Sequence, residues 1–209
     1  MEKSHLFDKL PFLGYAFCNA KENAYIQAPL LLNQIHSIRV IDITQKPKES
    51  PQADAWVTTK RGLALTLKTA DCAPVLFAEK NGKVIGAAHA GWKGAMTGIL
   101  EQTLIHMMRA GAEIKNIFAV IGPCIHVESY PVSEEMKQLS SPDMMPFFEA
   151  YSDGIHFNLP TYVEERLKLA GIPEIEIIPQ NTFSNAQFNS FRRDKEKSGR
   201  QYSSVWLDF

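Results

Sequence analysis

Apolar and polar residues along this chain fall into short blocks separated by turn residues, and the blocks change period several times. Residues 56–60, "WVTTK", and 63–69, "LALTLKT", read as short strands rich in apolar and β-branched positions. Residues 73–90, "APVLFAEKNGKVIGAAHA", read as a hairpin of two apolar runs joined by Asn81-Gly82, a dipeptide that tolerates the positive φ of a tight turn. Residues 94–112 place Met96, Ile99, Leu100, Leu104, Met107 and Met108 on one helical face, with Gly111 positioned to close the helix. "NIFAVIG" (116–122) predicts a buried strand. Residues 159–171 predict a helix with Pro160 near its start and Gly171 at its end. "EIEII" (174–178) and "YSSVWL" (202–207) supply late strands, and 44–54, rich in Pro, Lys and Gln, is the nearest approach to a loop cluster. Strands and helices mix without strict βαβ alternation. The expected fold class is therefore α/β (α+β), a mixed sheet covered by helices, in a single domain over residues 1–209.

Composition narrows the classes of function. Hydrophobic residues make up 45% and charged residues 22%, the balance of an ordinary globular protein, and a formal net charge of −1 gives no general attraction to nucleic acid or anionic membrane. No apolar run approaches the ~20 residues needed to span a bilayer, and the first residues do not read as a signal peptide. Cys18, Cys72 and Cys124 are too few and too scattered for a disulfide framework, so a reducing cytoplasm is expected.

Candidate chemistry gathers at the two ends of the hairpin. Cys72 should lie on a turn just past the strand "LALTLKT", and His89 near the end of the return strand. Antiparallel pairing allows the two to meet, since facing residues sit about 5 Å apart. Packing alone, a metal site and a nucleophile site all remain open at this point: a lone Cys often behaves as a small hydrophobe, yet Cys and His together suit zinc or copper. A catalytic zinc has three protein ligands, and the candidates for the third are His5, His36, His106, His126 and His156. His36 sits where a strand could begin, while His106, in a helix among methionines, suits the surface or the core. Cys124 follows an apolar strand and reads as structural. Lys93 adds positive charge at a helix start that favours anions. Arg192, Arg193 and Arg200 surround a Ser-Gly turn, where guanidinium groups suit phosphate or carboxylate.

"NQIHS", "TADCAPVL", "AAHAGWKG", "IGPCI" and "SFRRD…GR…WL" resemble, in order, the motifs of the YfiH-like family, also called the laccase-domain or multi-copper polyphenol oxidase family. The resemblance covers residue 33 to the C-terminus. It implies a metal site, usually described as zinc, made of His36, Cys72 and His89, with catalysis at the same three residues. It further implies purine nucleoside phosphorylase activity, in which phosphate displaces the base of adenosine, inosine, guanosine or methylthioadenosine, with adenosine deamination alongside. Family members are also linked to peptidoglycan editing, the removal of misincorporated serine from a muropeptide precursor. The implied fold is a layered mixed-sheet structure related to a bacterial toxin deamidase domain that uses a Cys–His pair. Lys93, Arg192, Arg193 and Arg200 are the cations expected to bind substrate or phosphate. The segment before about residue 33 looks shortened relative to the family, Cys18 and Asn19 stand where Ser/Thr and Arg are expected, and Pro131 replaces a Glu.

Three rival readings follow from the same residues. A laccase-type copper cluster relies on many histidines, often as His-x-His; this chain has six and no such pair, although one copper can occupy the two-His, one-Cys site. Cys72 can act as a nucleophile activated by His89, as in a cysteine hydrolase. The chain can also be a metal-stabilised binding protein without turnover.

Overall fold

The computed structural model describes residues 1–208. In chain order it contains strands β1 (Leu13–Phe17), β2 (Leu30–Leu31), β3 (Val40–Asp42), β4 (Ala55–Thr58), β5 (Leu65–Thr69), β6 (Ala73–Glu79) and β7 (Ile85–Ala90). Helices α1 (Trp92–Thr97) and α2 (Ile99–Arg109) follow, then β8 (Ile117–Ile121), β9 (Pro131–Val132) and α3 (Glu134–Leu139). The remainder comprises β10 (Phe148–Tyr151), β11 (Gly154–Phe157), α4 (Leu159–Leu169), β12 (Glu174–Ile177), α5 (Phe191–Asp194) and β13 (Gln201–Leu207).

A six-stranded sheet of order β12-β8-β6-β7-β4-β3 forms the middle layer, and a four-stranded sheet of order β1-β13-β5-β2 packs on one face of it. A small sheet, β10-β11-β9, completes the set. The middle sheet is mixed: its two outer pairs are parallel and the four central strands are antiparallel. Strand β6 explains the arrangement. Val75 and Phe77 point to a core shared with Leu104 and Met107 of α2 and with Tyr162 and Leu167 of α4. Leu76 and Ala78, on the opposite face, join Leu65, Leu67 and Val205 of the second sheet. A strand buried on both faces needs an unbroken apolar run, which is what residues 73–78 provide.

The hairpin forms as expected, with Gly82 at φ +69° in its turn. Its open end pairs Ala73 with Ala90 and Pro74 with His89, so Cys72 emerges beside Gly91. The helix expected over 94–112 is two helices. Gly98, at φ +104°, ends α1 and starts α2, a left-handed conformation that interrupts the helix without the Cβ clash other residues would suffer. Gly111, at φ +102°, closes α2 as expected. The strand expected near His36 begins four residues later, at Val40, because residues 35–37 turn their amides toward a buried carboxylate. No helix among the described residues is long and apolar enough to cross a membrane.

Two-sided burial of β6 makes a definite demand on stability. Leu76, fully buried, should cost about 2–5 kcal/mol when changed to Ala, because the cavity between two sheets closes poorly. Denaturant titration at unchanged m-value reads this directly; a loss below ~1 kcal/mol would contradict the packing.

Candidate metal centre

Three separate segments deliver the site. Cys72 lies in the corner where the chain leaves β5 of one sheet and enters β6 of the other. Gly91 permits its approach: a Cβ there would stand 2.9 Å from Cys72 Sγ. His89 is buried near the end of β7, and its Nδ1–H donates to Asp54 Oδ1 at 2.9 Å. His36 lies in an exposed loop with φ +57°. That loop is held by Asp54, which accepts the backbone N–H groups of Ile35 (3.2 Å), His36 (3.0 Å) and Ser37 (2.6 Å), and the Ser37 hydroxyl (2.8 Å). Gln34 ties the same loop to β5, donating to the Lys68 carbonyl and accepting the Lys68 N–H at 2.9 and 2.8 Å.

The result is convergence. One ligand atom each from His36, Cys72 and His89 lie within 4.8 Å of one another, and the two imidazoles meet edge to face at 4.8 Å between centroids. Burial raises the Asp54 pKa, but its hydrogen bonds with His89 and Ser37 outweigh this and hold it at about 2. Burial likewise opposes charge on Cys72 and His89, yet each stabilises the other's ion. The thiol is shifted down by His89 and His36, and the imidazole is shifted up by Cys72 and Asp54. The thiol is thus already biased toward the thiolate that a metal requires. Two imidazoles, one thiolate and a carboxylate behind one ring form a donor set that fits zinc or copper.

Two cavities flank this cluster, and both are bordered by His36, Cys72 and Phe191. One, of about 280 Å³, is walled by Trp92, Ile125, Tyr130 and Leu159, with Arg192 and Lys195 at its rim. The other, of about 360 Å³, is lined by Asn33, Gln34, Lys68, Thr69 and Arg200. Asp71 places the aromatic wall, since its carboxylate accepts the Arg192 N–H at 2.6 Å and the Thr182 hydroxyl at 2.8 Å. Among the described residues, four non-glycines have positive φ, and three of them border this site: His36, Asp71 and Lys195. Such strain concentrates where surrounding contacts can sustain it.

Of the cations expected at substrate, the structure brings Arg192 and Arg200 to the cavities. Lys93 is exposed and borders neither. The Arg193 guanidinium also lies outside them, donating to the carbonyls of Thr182, Phe183 and Phe188 and pairing with Asp194, so it braces the loop before α5. Of the other histidines weighed as a third ligand, His106 pairs with Asp42 and His156 bonds to Val127 and Asp153, while His5 and His126 stand outside the cluster. Cys124 is buried and its thiol pKa is driven up, first by that burial, in keeping with a structural role. The sequence alone gives no functional signal for Asp54, Lys68 or Tyr130, and marks Asp71 only as a turn residue beside Cys72. Asp54 sits in "QADAW" with no local signal, and only the pairing of β4 with β7 carries it to His89.

Comparison with known proteins identifies the family. Residues 17–208 match the family described as multi-copper polyphenol oxidoreductase laccase. A purine nucleoside phosphorylase of Rickettsia conorii is 40% identical over 161 residues, 75% of this chain and 66% of that protein. The Escherichia coli protein named purine nucleoside phosphorylase YfiH is 32% identical over 183 residues, 86% of this chain and 74% of its own length. The crystal structure of a Neisseria meningitidis protein superposes with a TM-score of 0.79 at 32% identity, covering 87% of this chain and 76% of that one. The chain thus spans 66% of the Rickettsia relative's length and about three quarters of the other two. With its motifs, its layered fold and nearly its whole length matched, the chain belongs to the multi-copper polyphenol oxidoreductase laccase family, whose members include proteins named YfiH.

Proposed function

We propose that this chain is a zinc-dependent purine nucleoside phosphorylase acting on adenosine, inosine, guanosine or methylthioadenosine. The single observation that carries the reading is the pair of cavities meeting at His36 and Cys72, one with an aromatic wall and the other with a more polar lining that includes His89, Lys68 and Arg200. In phosphorolysis a phosphate oxygen bonds to C1′ of the ribose while the C1′–N9 bond breaks, and the purine leaves with the electron pair and takes a proton. The purine suits the cavity of Trp92, Tyr130 and Phe191, whose ring faces favour a planar heterocycle. Phosphate suits the cavity of Lys68 and Arg200, where charge-assisted hydrogen bonds hold an oxyanion. His36, Cys72 and His89 would hold the ion between the two. When bound there, zinc supplies Lewis acidity that these side chains alone lack at neutral pH. The remaining work belongs to the chain: Arg192, its guanidinium 5.3 Å from the Tyr130 ring centroid, closes the rim of the purine cavity, and Phe191 separates it from the phosphate cavity. Adenosine deamination, in which water replaces the 6-amino group and ammonia departs, belongs to the same proposal as a second activity. Copper can occupy the same three ligands. A multi-copper cluster needs more imidazole than this site offers, since His106 and His156 are engaged elsewhere.

One observation favours a second reading. Cys72, His89 and Asp54 stand in the order of a nucleophile, its base and the carboxylate that orients the base, an arrangement suited to a cysteine hydrolase without metal.

Three outcomes test these readings. Base release from inosine or adenosine should require phosphate; equal rates in phosphate-free buffer would indicate hydrolysis instead. Changing Lys68 or Arg200 to Ala should raise the KM for phosphate roughly tenfold to a hundredfold, the consequence of losing about 1.5–3 kcal/mol of charge-assisted bonding. Lys48→Ala, in the Pro-rich loop, should leave it unchanged, and equal kinetics in all three variants would remove the cavity of Lys68 and Arg200 from the reaction. Finally, iodoacetamide should alkylate Cys72 slowly in zinc-loaded protein and rapidly after chelation. Rapid alkylation with zinc bound would support the nucleophile reading.

A further inference from the structure

We propose that Asp54 is the positioning residue of the metal centre, one carboxylate setting both histidine ligands at once. The proposal rests on the zinc reading and concerns a residue that touches no substrate. Asp54 is completely buried, one residue before β4, and its two oxygens divide the task. Oδ1 accepts from His89 Nδ1 at 2.9 Å and from the His36 N–H at 3.0 Å. Oδ2 accepts from the N–H groups of Ile35 and Ser37 and from the Ser37 hydroxyl. Its main chain makes the same connection: the Asp54 N–H donates to the Arg39 carbonyl and its carbonyl accepts the His89 N–H, at 3.0 and 2.8 Å. Segments far apart in sequence, one carrying His36 and the other His89, are thereby indexed to one residue.

Two consequences distinguish positioning from simple satisfaction of buried amides. With Nδ1–H committed to Asp54, His89 can offer only Nε2 to an ion, which fixes both tautomer and ring orientation. At His36, a left-handed backbone disfavoured for a residue with a Cβ is sustained by amide donors aimed at the same carboxylate. An asparagine cannot replace it. Its single carbonyl oxygen can serve the His89 side or the Ile35–Ser37 side, and its NH₂ group would confront N–H donors on the other.

The decisive experiment compares zinc affinity of wild-type and Asp54→Asn protein by competition with a chromophoric chelator. Far-UV circular dichroism and denaturant midpoints report the folded fraction. Affinity of the folded variant should fall by ~10–100-fold, the usual consequence of losing a carboxylate behind a metal-bound histidine. Equal affinity in the two folded proteins would overturn the proposal, because a merely structural Asp54 would shift the midpoint and leave zinc affinity alone. Wild-type protein that takes up no zinc would instead overturn the zinc reading on which it rests. Should Asp54→Asn fail to fold, ring ¹⁵N–¹H correlation spectra of zinc-loaded wild-type protein decide the matter. A hydrogen-bonded proton on His89 Nδ1 supports positioning by Asp54, and zinc bound through Nδ1 overturns it.

Discussion

Five hydrogen bonds converge on the carboxylate of Asp54, and the geometry around the cluster depends on them. A buried, ionised carboxylate is costly unless every lone pair is matched to a donor. Here the donors come from a loop that would otherwise have no reason to adopt left-handed backbone at His36, and from an imidazole that would otherwise be free to rotate. The same constraint therefore satisfies a desolvated charge and arranges two histidines of the cluster. Cys72 is brought in by a different device: the corner between two sheets, where Asp71 takes φ +86° and Gly91 leaves room for the sulfur.

The layered fold is what brings these devices together. Because β6 is buried on both faces, its hairpin with β7 sits in the centre of the molecule, and the open end of that hairpin is a fixed platform. Strand β5 belongs to the second sheet, so the link from Thr69 to Ala73 crosses between layers and presents Cys72 at the junction. Cavities on either side of such a junction differ in character because different elements wall them. The loop around Tyr130 and the start of α5 give one an aromatic wall, while the end of β5 and the Asn33–Gln34 turn give the other its polar lining.

Much of this was legible in the chain itself where local periodicity and turn chemistry act alone. Asn81-Gly82 announces the hairpin, Gly111 and Gly171 the ends of two helices, and antiparallel pairing allows Cys72 and His89 to meet. The break at Gly98 has no such signal, because an amphipathic pattern continues across it and periodicity does not register a single left-handed residue. His36 as a ligand came from motif resemblance, since no local signal spans a loop and two sheets. Asp54 was silent for the same reason: its role exists only once β4 pairs with β7. Arg193 and Arg192 are adjacent and chemically identical, yet one braces carbonyls and the other borders a cavity. Their difference is a matter of which way α5 faces, and composition carries no record of that.

The proposed metal centre requires His36, Cys72 and His89 to share one ion. X-ray absorption at the zinc edge of the loaded protein measures this most directly, because sulfur and nitrogen scatterers separate by distance. A shared ion gives one sulfur at about 2.3 Å and at least two nitrogens at about 2.0–2.1 Å, with the sulfur lost in Cys72→Ser. A first shell of nitrogen and oxygen alone in the wild-type protein would contradict it.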